Sequence, residues 1–297
     1  MRVPRALLLA LLLDACLGEP PPRLHPVVWM GGALSWLEAR APRRPMARLV
    51  YGGLAAVALP ACWGLLGACA DRVAPWPVQA LLLKPTFAGR SLLLAGRRVE
   101  DPLVDGDVDR ARTSLRWLVS RPTANLGAGL VAAAAIESLA ENLVDSWLAP
   151  LLAYACFGLA GCYVYRAANT ADAMWGYRTP AYVHLGKAAA RLDDALNLLP
   201  ARIGALLLIG LGRRRRESIA VWRRDAARTP SPNAGQSMAA IAGQLGVRLE
   251  KPDTYVLNAV RCEPTAADLQ RARKLVMSAM LVSAALSLVL RGVQARA

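Results

Sequence analysis

The sequence predicts an all-α, polytopic membrane protein with about five spans, some of them broken or re-entrant around a polar site. Three observations predict it. Hydrophobic residues make up 55% of the 297 and charged residues only 19%, which is more apolar surface than one water-soluble core needs. The runs from Leu49 to Ala70 and from Ser146 to Tyr165 contain no charge, and each is long enough as a helix to cross a hydrocarbon core of about 30 Å. The alternation expected of β-strands is absent throughout.

The elements follow in chain order. An apolar stretch from Ala6 to Leu13, behind Arg2 and Arg5, has the first two parts of a signal peptide. Asp14 and the Gly18-Glu19-Pro20 string lack the small-residue cleavage site, so the stretch is expected to be retained. A Pro- and Arg-rich loop then runs from Gly18 to Arg48, ahead of the Leu49–Ala70 span. Pro77 to Gly96 is apolar but interrupted by Lys84, Pro85 and Arg90, the pattern of a segment that lines a cavity. In the polar loop from Arg97 to Asn125, Asp107 to Leu118 has helix-forming composition suited to the membrane interface.

The Ser146–Tyr165 span comes next, and then Leu196 to Gly212, interrupted by Pro200 and Arg202. Leu275 to Leu290 is short for a span, but Lys274 and Arg291 at its ends can snorkel outward. We read residues 1–297 as a single integral membrane domain that includes a basic cytoplasmic segment, 213–274, opening with Arg213, Arg214, Arg215 and Arg216.

The net charge of +15 is explained by positive-inside loops, and nucleic acid is not expected as a partner. Those loops place the active site on the cytoplasmic side of the cell membrane and can attract anionic lipid or phosphorylated substrates. Cys62, Cys69, Cys156 and Cys162 lie within apolar runs, and there is no CxxC pair. With only His25 and His184, and no HExxH, a zinc site is not expected. No P-loop or Rossmann glycine pattern is present, so a nucleotide must be held in another way.

Four constellations carry candidate chemistry. Glu137, Glu141 and Asp145 recur at helical spacing along one face, where they repel one another unless a metal or a cationic group holds them. Magnesium suits such oxygen ligands, while arginines from other loops would satisfy the same spacing structurally. Asn169 and Asp172 lie three apart, with Gly176 beyond and Arg166 and Arg178 flanking, a composition suited to magnesium plus phosphate. Arg191, Asp193, Asp194, Asn197 and Arg202 form the third group, in which Asp194 shares a face with Asn197 and with Arg191. Ser231 to Gly235, including Asn233, reads as a tight turn able to form an anion nest, followed by a helix from Met238 to Leu245 that ends at Gly246.

In this order, these strings resemble the adenosylcobinamide-phosphate synthase family, the membrane enzymes of cobalamin biosynthesis. The matching residues begin with Asp14, Gly18-Glu19-Pro20, His25-Pro26-Val27, the Lys84 to Leu92 stretch, Glu137-Ser138, Glu141-Asn142, Asp145 and Ala149-Pro150-Leu151. They continue through Asn169-Thr170, Asp172, Gly176-Tyr177-Arg178, Arg191 to Asp194, Pro200-Ala201-Arg202, Ser231 to Gly235, Gly246-Val247 and Tyr255, covering nearly the whole chain. Two departures stand out. Ser120-Arg121-Pro122-Thr123 lacks the acidic group usual there, which puts a catalytic role for that loop in doubt, and Met238 stands where many relatives have Glu.

The resemblance implies a ligase that condenses a propionate carboxylate of adenosylcobyric acid with the amine of 1-amino-2-propanol O-phosphate at the expense of ATP. Its expected partners are these corrinoid and amino alcohol phosphate substrates, membrane lipid and other membrane enzymes of the pathway. On this reading magnesium is held by Asp172 and by one or two of Glu137, Glu141 and Asp145, with Asn142 and Asn169 as neutral partners. Arg178, Arg191 and Arg202 clamp phosphate, Ser231 and Asn233 contribute at the turn, and Glu141 or Asp194 takes the amine proton. The rival enzyme class is an intramembrane, magnesium-dependent prenyl or lipid-phosphate transferase, although its repeated acidic motif occurs here only once. A transporter or scaffold is the non-enzymatic alternative.

Overall fold

Sparse charge and few mid-segment breakers give long helices, and a computed structural model describes them over residues 4–294. Arg2, part of the N-terminal pattern read above, lies outside the described residues. In chain order the helices are α1 (Arg5–Leu17), α2 (Pro26–Glu38), α3 (Pro45–Val73), α4 (Trp76–Leu83), α5 (Gly89–Val104), α6 (Val108–Leu115), α7 (Ala128–Leu143) and α8 (Ala149–Trp175). They continue with α9 (Lys187–Leu211), α10 (Arg215–Asp225), α11 (Ala234–Leu245) and α12 (Ala266–Gln294). A two-stranded antiparallel hairpin, β1 (Leu249–Lys251) and β2 (Tyr255–Leu257), is inserted before α12. It corrects the expectation of no strand, because three-residue strands are too short for alternation to register.

The all-α membrane class is borne out. Among the described residues four helical stretches are long and apolar enough to cross a membrane: Pro45–Val73, Ala128–Trp175, Lys187–Leu211 and Ala266–Gln294. Pro77–Gly96 is not among them, because it breaks at a 3-10 turn, Lys84–Thr86, into the short α4 and the polar-faced α5. Pro200 does not break Leu196–Gly212 in the same way, since α9 runs through it. Apolar helices inside membranes tolerate proline where neighbouring groups take up the freed carbonyl.

The chain packs as two compact units interleaved in sequence. The first comprises residues 1–88, 149–197 and 284–297. Here α3 lies along α8, and small residues permit the approach. A Cβ at Gly64 would stand 2.6 Å from a Val164 methyl, and one at Gly67 would stand 2.7 Å from the backbone of Leu159 and Ala160. Only 28% of the apolar window of α3 is buried in the protein, so most of its surface is left for lipid, with Leu54, Leu65 and Leu66 pointing outward. Leu34, Ala55, Ala56, Ala171, Trp175, Leu185 and Ala189 form the core nearby.

Within α8, Gly158 takes a φ of +68°, which L side chains rarely adopt, and interrupts the helix. The Asp71 carboxylate of α3 accepts the freed Leu159 N–H at 2.8 Å.

The second unit comprises residues 89–148 and 198–283. There α7 is buried among α5, α6, α11 and β1. Its alanine-rich run from Val131 to Ala135 allows close approach on several sides. Asp107 caps α6 by accepting the Arg110 N–H at 2.9 Å. Gly246 closes α11 in the left-handed conformation, as expected from sequence.

Candidate functional site

The second unit carries a polar cleft of about 170 Å³ over the C-terminal half of α7. A cleft of this size takes a few waters or one phosphate-bearing group and is too small to enclose a corrin ring. Its lining includes Arg121, Glu137, Glu141, Asn142, Lys251 and Tyr255.

Each side chain is placed by local structure. On α7, Glu137 and Glu141 share a face at the i, i+4 spacing. Ser138 donates to the Leu118 carbonyl at 2.8 Å and so pins the 118–121 loop over that face. Arg121 Nη2 then donates to Glu137 Oε2 at 3.1 Å, with the carboxylate side chain only 7% exposed. A cationic group therefore answers part of the acidic stripe. The 118–121 loop supplies it.

The hairpin delivers the other wall. Lys251 and Tyr255 are directly opposed in its register, so both side chains leave the same face. The hairpin is anchored by Asp225, which is fully buried and accepts the Asn258 N–H at 2.8 Å. Arg224 donates to both oxygens of the same carboxylate, at 2.9 and 2.7 Å. Burial pushes the Tyr255 hydroxyl above its usual pKa, and the negative charges of Glu137 and Glu141 push it further. It is held as a neutral donor beside the Glu137 carboxylate and lies 3.7 Å from Met238 Sδ.

Asp145 falls in a π-helical turn, Val144–Leu148, beyond the C-terminus of α7. The turn widens the helix there, and Asp145 is not among the residues lining the cleft.

Arg202 donates to the Leu198 carbonyl at 2.7 Å and to Asn233 Oδ1 at 3.4 Å. The turn at Ser231 is capped internally: Ser231 Oγ accepts the Asn233 N–H at 3.2 Å, and Thr229 Oγ1 accepts that of Gly235 at 3.1 Å. The donors expected to form an anion nest are thus turned toward hydroxyls of the protein.

The first unit holds two further polar networks. Asp193 on α9 accepts from Asn169 of α8 at 3.1 Å and from Asn197 at 3.0 Å. Asn197 in turn accepts from the Tyr165 hydroxyl at 3.0 Å, and Arg166 donates to Asn169 at 3.2 Å. The network centre is Asp193, whose partner Asn197 lies one turn on. Asp194 forms a loose 4.0 Å pair with Arg191, which is 78% exposed. Asp172 lies against Gly176, where a Cβ would collide with its carboxylate. Arg178 is exposed just past α8.

The second network is centred on Lys84, a buried side chain that pairs with Asp14 at 3.0 Å and Glu19 at 2.8 Å. His25 meets the other Glu19 oxygen at 3.0 Å. Burial raises the Glu19 pKa, but hydrogen bonds from His25 and Lys84 and the charge of Lys84 outweigh it and leave the net shift downward.

Sequence reasoning chose Glu137 and Glu141, and the fold brings both into one cleft. It passed over Arg121 and Lys251. The retained arginine in a departing loop was the available signal for the first. For Lys251 there was none short of the hairpin register. Among the described residues no three His, Cys, Asp or Glu side chains gather closely enough to hold a metal by themselves.

Long apolar helices with carboxylates and amides networked along them define a polytopic membrane protein built around ionisable groups, which such proteins retain for function. Comparison with known proteins gives the family. The family described as CobD/Cbib protein matches residues 7–285. The chain is 42% identical over 295 residues to the cobalamin biosynthesis protein CobD of Chromobacterium violaceum, covering 94% of each chain. It is 42% identical over 270 residues to that of Mycobacterium tuberculosis, covering 88% of this chain and 84% of the relative. Against the probable cobalamin biosynthesis protein CobD of Methanothermobacter thermautotrophicus it is 40% identical over 255 residues, 84% and 85% of the two chains. The chain belongs to the CobD/Cbib family of cobalamin biosynthesis proteins. No solved structure matches it.

Proposed function

We propose that the chain is an ATP-dependent amide ligase of cobalamin biosynthesis, joining a propionate carboxylate of adenosylcobyric acid to the amine of 1-amino-2-propanol O-phosphate. Family membership supplies the pathway and the corrinoid substrate. The observation that carries the reaction class is the buried Glu137 carboxylate, facing a small polar cleft beside Arg121 and Glu141. Amide formation needs a group to receive the ammonium proton and cations to hold phosphate, and the cleft offers both types.

A carboxylate is a poor electrophile, so the propionate is activated by phosphoryl transfer from ATP before the amine attacks. The new C–N bond forms as the acyl C–O bond to phosphate breaks, and inorganic phosphate leaves. In the second unit Glu137 orients the amine, Glu141 receives its proton and Arg202 holds phosphate, while in the first unit Asp194 is the alternative proton acceptor and Arg178 and Arg191 are the further residues offered to phosphate. Magnesium supplies charge neutralisation on the phosphates when bound. Its ordinary mode takes one or two carboxylates, with the rest of the shell from substrate oxygens and water. Asp172 with Asn169 in the first unit, and Asp145 in the second, are the residues offered to it. The basic loops support a site on the cytoplasmic side of the membrane, where ATP is found.

The test is product formation by purified protein given adenosylcobyric acid, aminopropanol phosphate, ATP and magnesium, with each omitted in turn. An amide product that depends on ATP supports the reading. No product in either detergent or lipid, together with turnover of a prenyl diphosphate, overturns it in favour of a lipid-phosphate transferase.

A further inference from the structure

The ion pair at the cleft is incompletely satisfied. Arg121 uses Nη2 to reach Glu137, but its Nε is buried and finds no hydrogen-bond partner among the described residues. Glu137 uses Oε2, and its Oε1 is likewise buried without a direct hydrogen bond, the Tyr255 hydroxyl being the other group that acts on the carboxylate. One unmet donor and one unmet acceptor are thus held in a single ion pair on the cleft wall. Buried polar groups in native proteins are ordinarily paired, and those left over mark places where something else binds.

A second cation stands in the same cleft. Lys251 forms no ion pair among the described residues, since the adjacent Glu250 is taken by Arg248 at 3.2 Å. Two cations, Arg121 and Lys251, therefore share the wall with two carboxylates, Glu137 and Glu141. Such a cleft does not favour a simple anion, which the carboxylates would repel, nor a simple cation, which Arg121 and Lys251 would repel. It favours a small ligand that carries both charges.

We propose that this cleft is the subsite for the amino alcohol phosphate, with Arg121 and Lys251 receiving its phosphate and Glu137 Oε1 receiving its ammonium group. The inference rests on the ligase reading for the identity of the ligand and goes beyond it in assigning the residues. Lys251 is the specificity determinant. As a compact ammonium on a flexible stem it selects a phosphate dianion and contributes nothing to an unphosphorylated alcohol. The volume of about 170 Å³ accommodates a three-carbon chain with its phosphate.

The test is calorimetric titration of the purified full-length protein with 1-amino-2-propanol O-phosphate, with 1-amino-2-propanol and with inorganic phosphate. Each titration is run alone and again with adenosylcobyric acid and a non-hydrolysable ATP analogue present. Lys251→Met is expected to weaken the phosphorylated ligand by about tenfold or more, as loss of a charge-assisted contact should, and to leave the unphosphorylated alcohol unchanged. Lys251→Arg, which keeps the charge, should stay within about threefold of the parent protein.

Equal losses for both ligands, no change in Lys251→Met, or no saturable binding to the parent protein in either mixture overturns the assignment. Amide synthesis on the same preparations separates the two readings. Normal synthesis with an unchanged KM for the phosphorylated amine in Lys251→Met refutes the subsite and leaves the ligase standing. Binding as expected without amide product refutes the ligase and leaves the subsite standing.

Discussion

Replacing Lys84 by methionine is expected to destabilise the protein by about 3 to 5 kcal/mol, the usual consequence of removing one partner from a buried ion pair. The structure sets where in that range the effect falls. Lys84 has a side chain 6% exposed between Asp14, 4% exposed, and Glu19, 29% exposed. Glu19 keeps His25 at 3.0 Å and some solvent, so its loss is small. The penalty comes mainly from Asp14, left without the cation 3.0 Å away. If that is the cause, removing the stranded charge should recover the stability, because an apolar pair of similar volume is close to neutral against a buried ion pair. The double variant Asp14→Leu, Lys84→Met should therefore lie within about 1 kcal/mol of the parent. The assay is SDS-driven unfolding in mixed micelles, followed by tryptophan fluorescence for the parent, both single variants and the double. A Lys84→Met effect below about 1 kcal/mol, or a double variant as unstable as the sum of the singles, would refute the reasoning.

The folded pKa values of Glu19 and Asp225 both lie below their ordinary ones: in each, burial opposes ionisation and is outweighed by hydrogen bonds, Glu19's from His25 and Lys84, Asp225's from Arg224 and the Asn258 N–H. The stability they contribute is complete above their unfolded values of 4.5 and 3.8 and is lost as pH falls through the lower folded values, so acid unfolding should shift to higher pH in Glu19→Gln and Asp225→Asn. Asp225→Asn should also speed hydrogen exchange in the hairpin at neutral pH; unchanged exchange at Tyr255–Leu257 would count against its anchoring role. Asp71→Ala removes the acceptor for the Leu159 N–H and should destabilise by about 1.5 to 3 kcal/mol in the same micelle assay, as loss of a charged hydrogen-bond partner does. Gly67→Leu should expand the contact between α3 and α8 and lower the yield of folded protein, while Leu66→Ala on the outward face should not.

Much of the fold was legible because spans are written as length and absence of charge, both visible without tertiary information. Leu49–Ala70, Ser146–Tyr165 and Leu275–Leu290 each fall inside an observed long helix. What was hidden depended on packing. Pro200 looked like a break, yet α9 passes through it, and the hairpin was too short to show a period. At the candidate site, the i, i+4 spacing of Glu137 and Glu141 placed both on the cleft. Asp145, the next step along the stripe, lies in a π turn and outside the cleft lining, and a π turn cannot be read from residue spacing. The choice between Asp193 and Asp194 likewise depends on which side of α9 meets α8, and a sequence with carboxylates at both positions does not reveal it. Arg121 and Lys251 are far from Glu137 in sequence, so only the fold brings them to it.

The interruption at Gly158 also bears on how the chain is made. A helix broken within an apolar segment exposes backbone donors that lipid cannot satisfy. The carboxylate that accepts them belongs to α3, which leaves the ribosome long before α8 does. The acceptor is therefore already in place when the gap arrives, and the glycines of α3 leave room for the later helix to lie against it. Chain order therefore delivers the acceptor before the donor it satisfies.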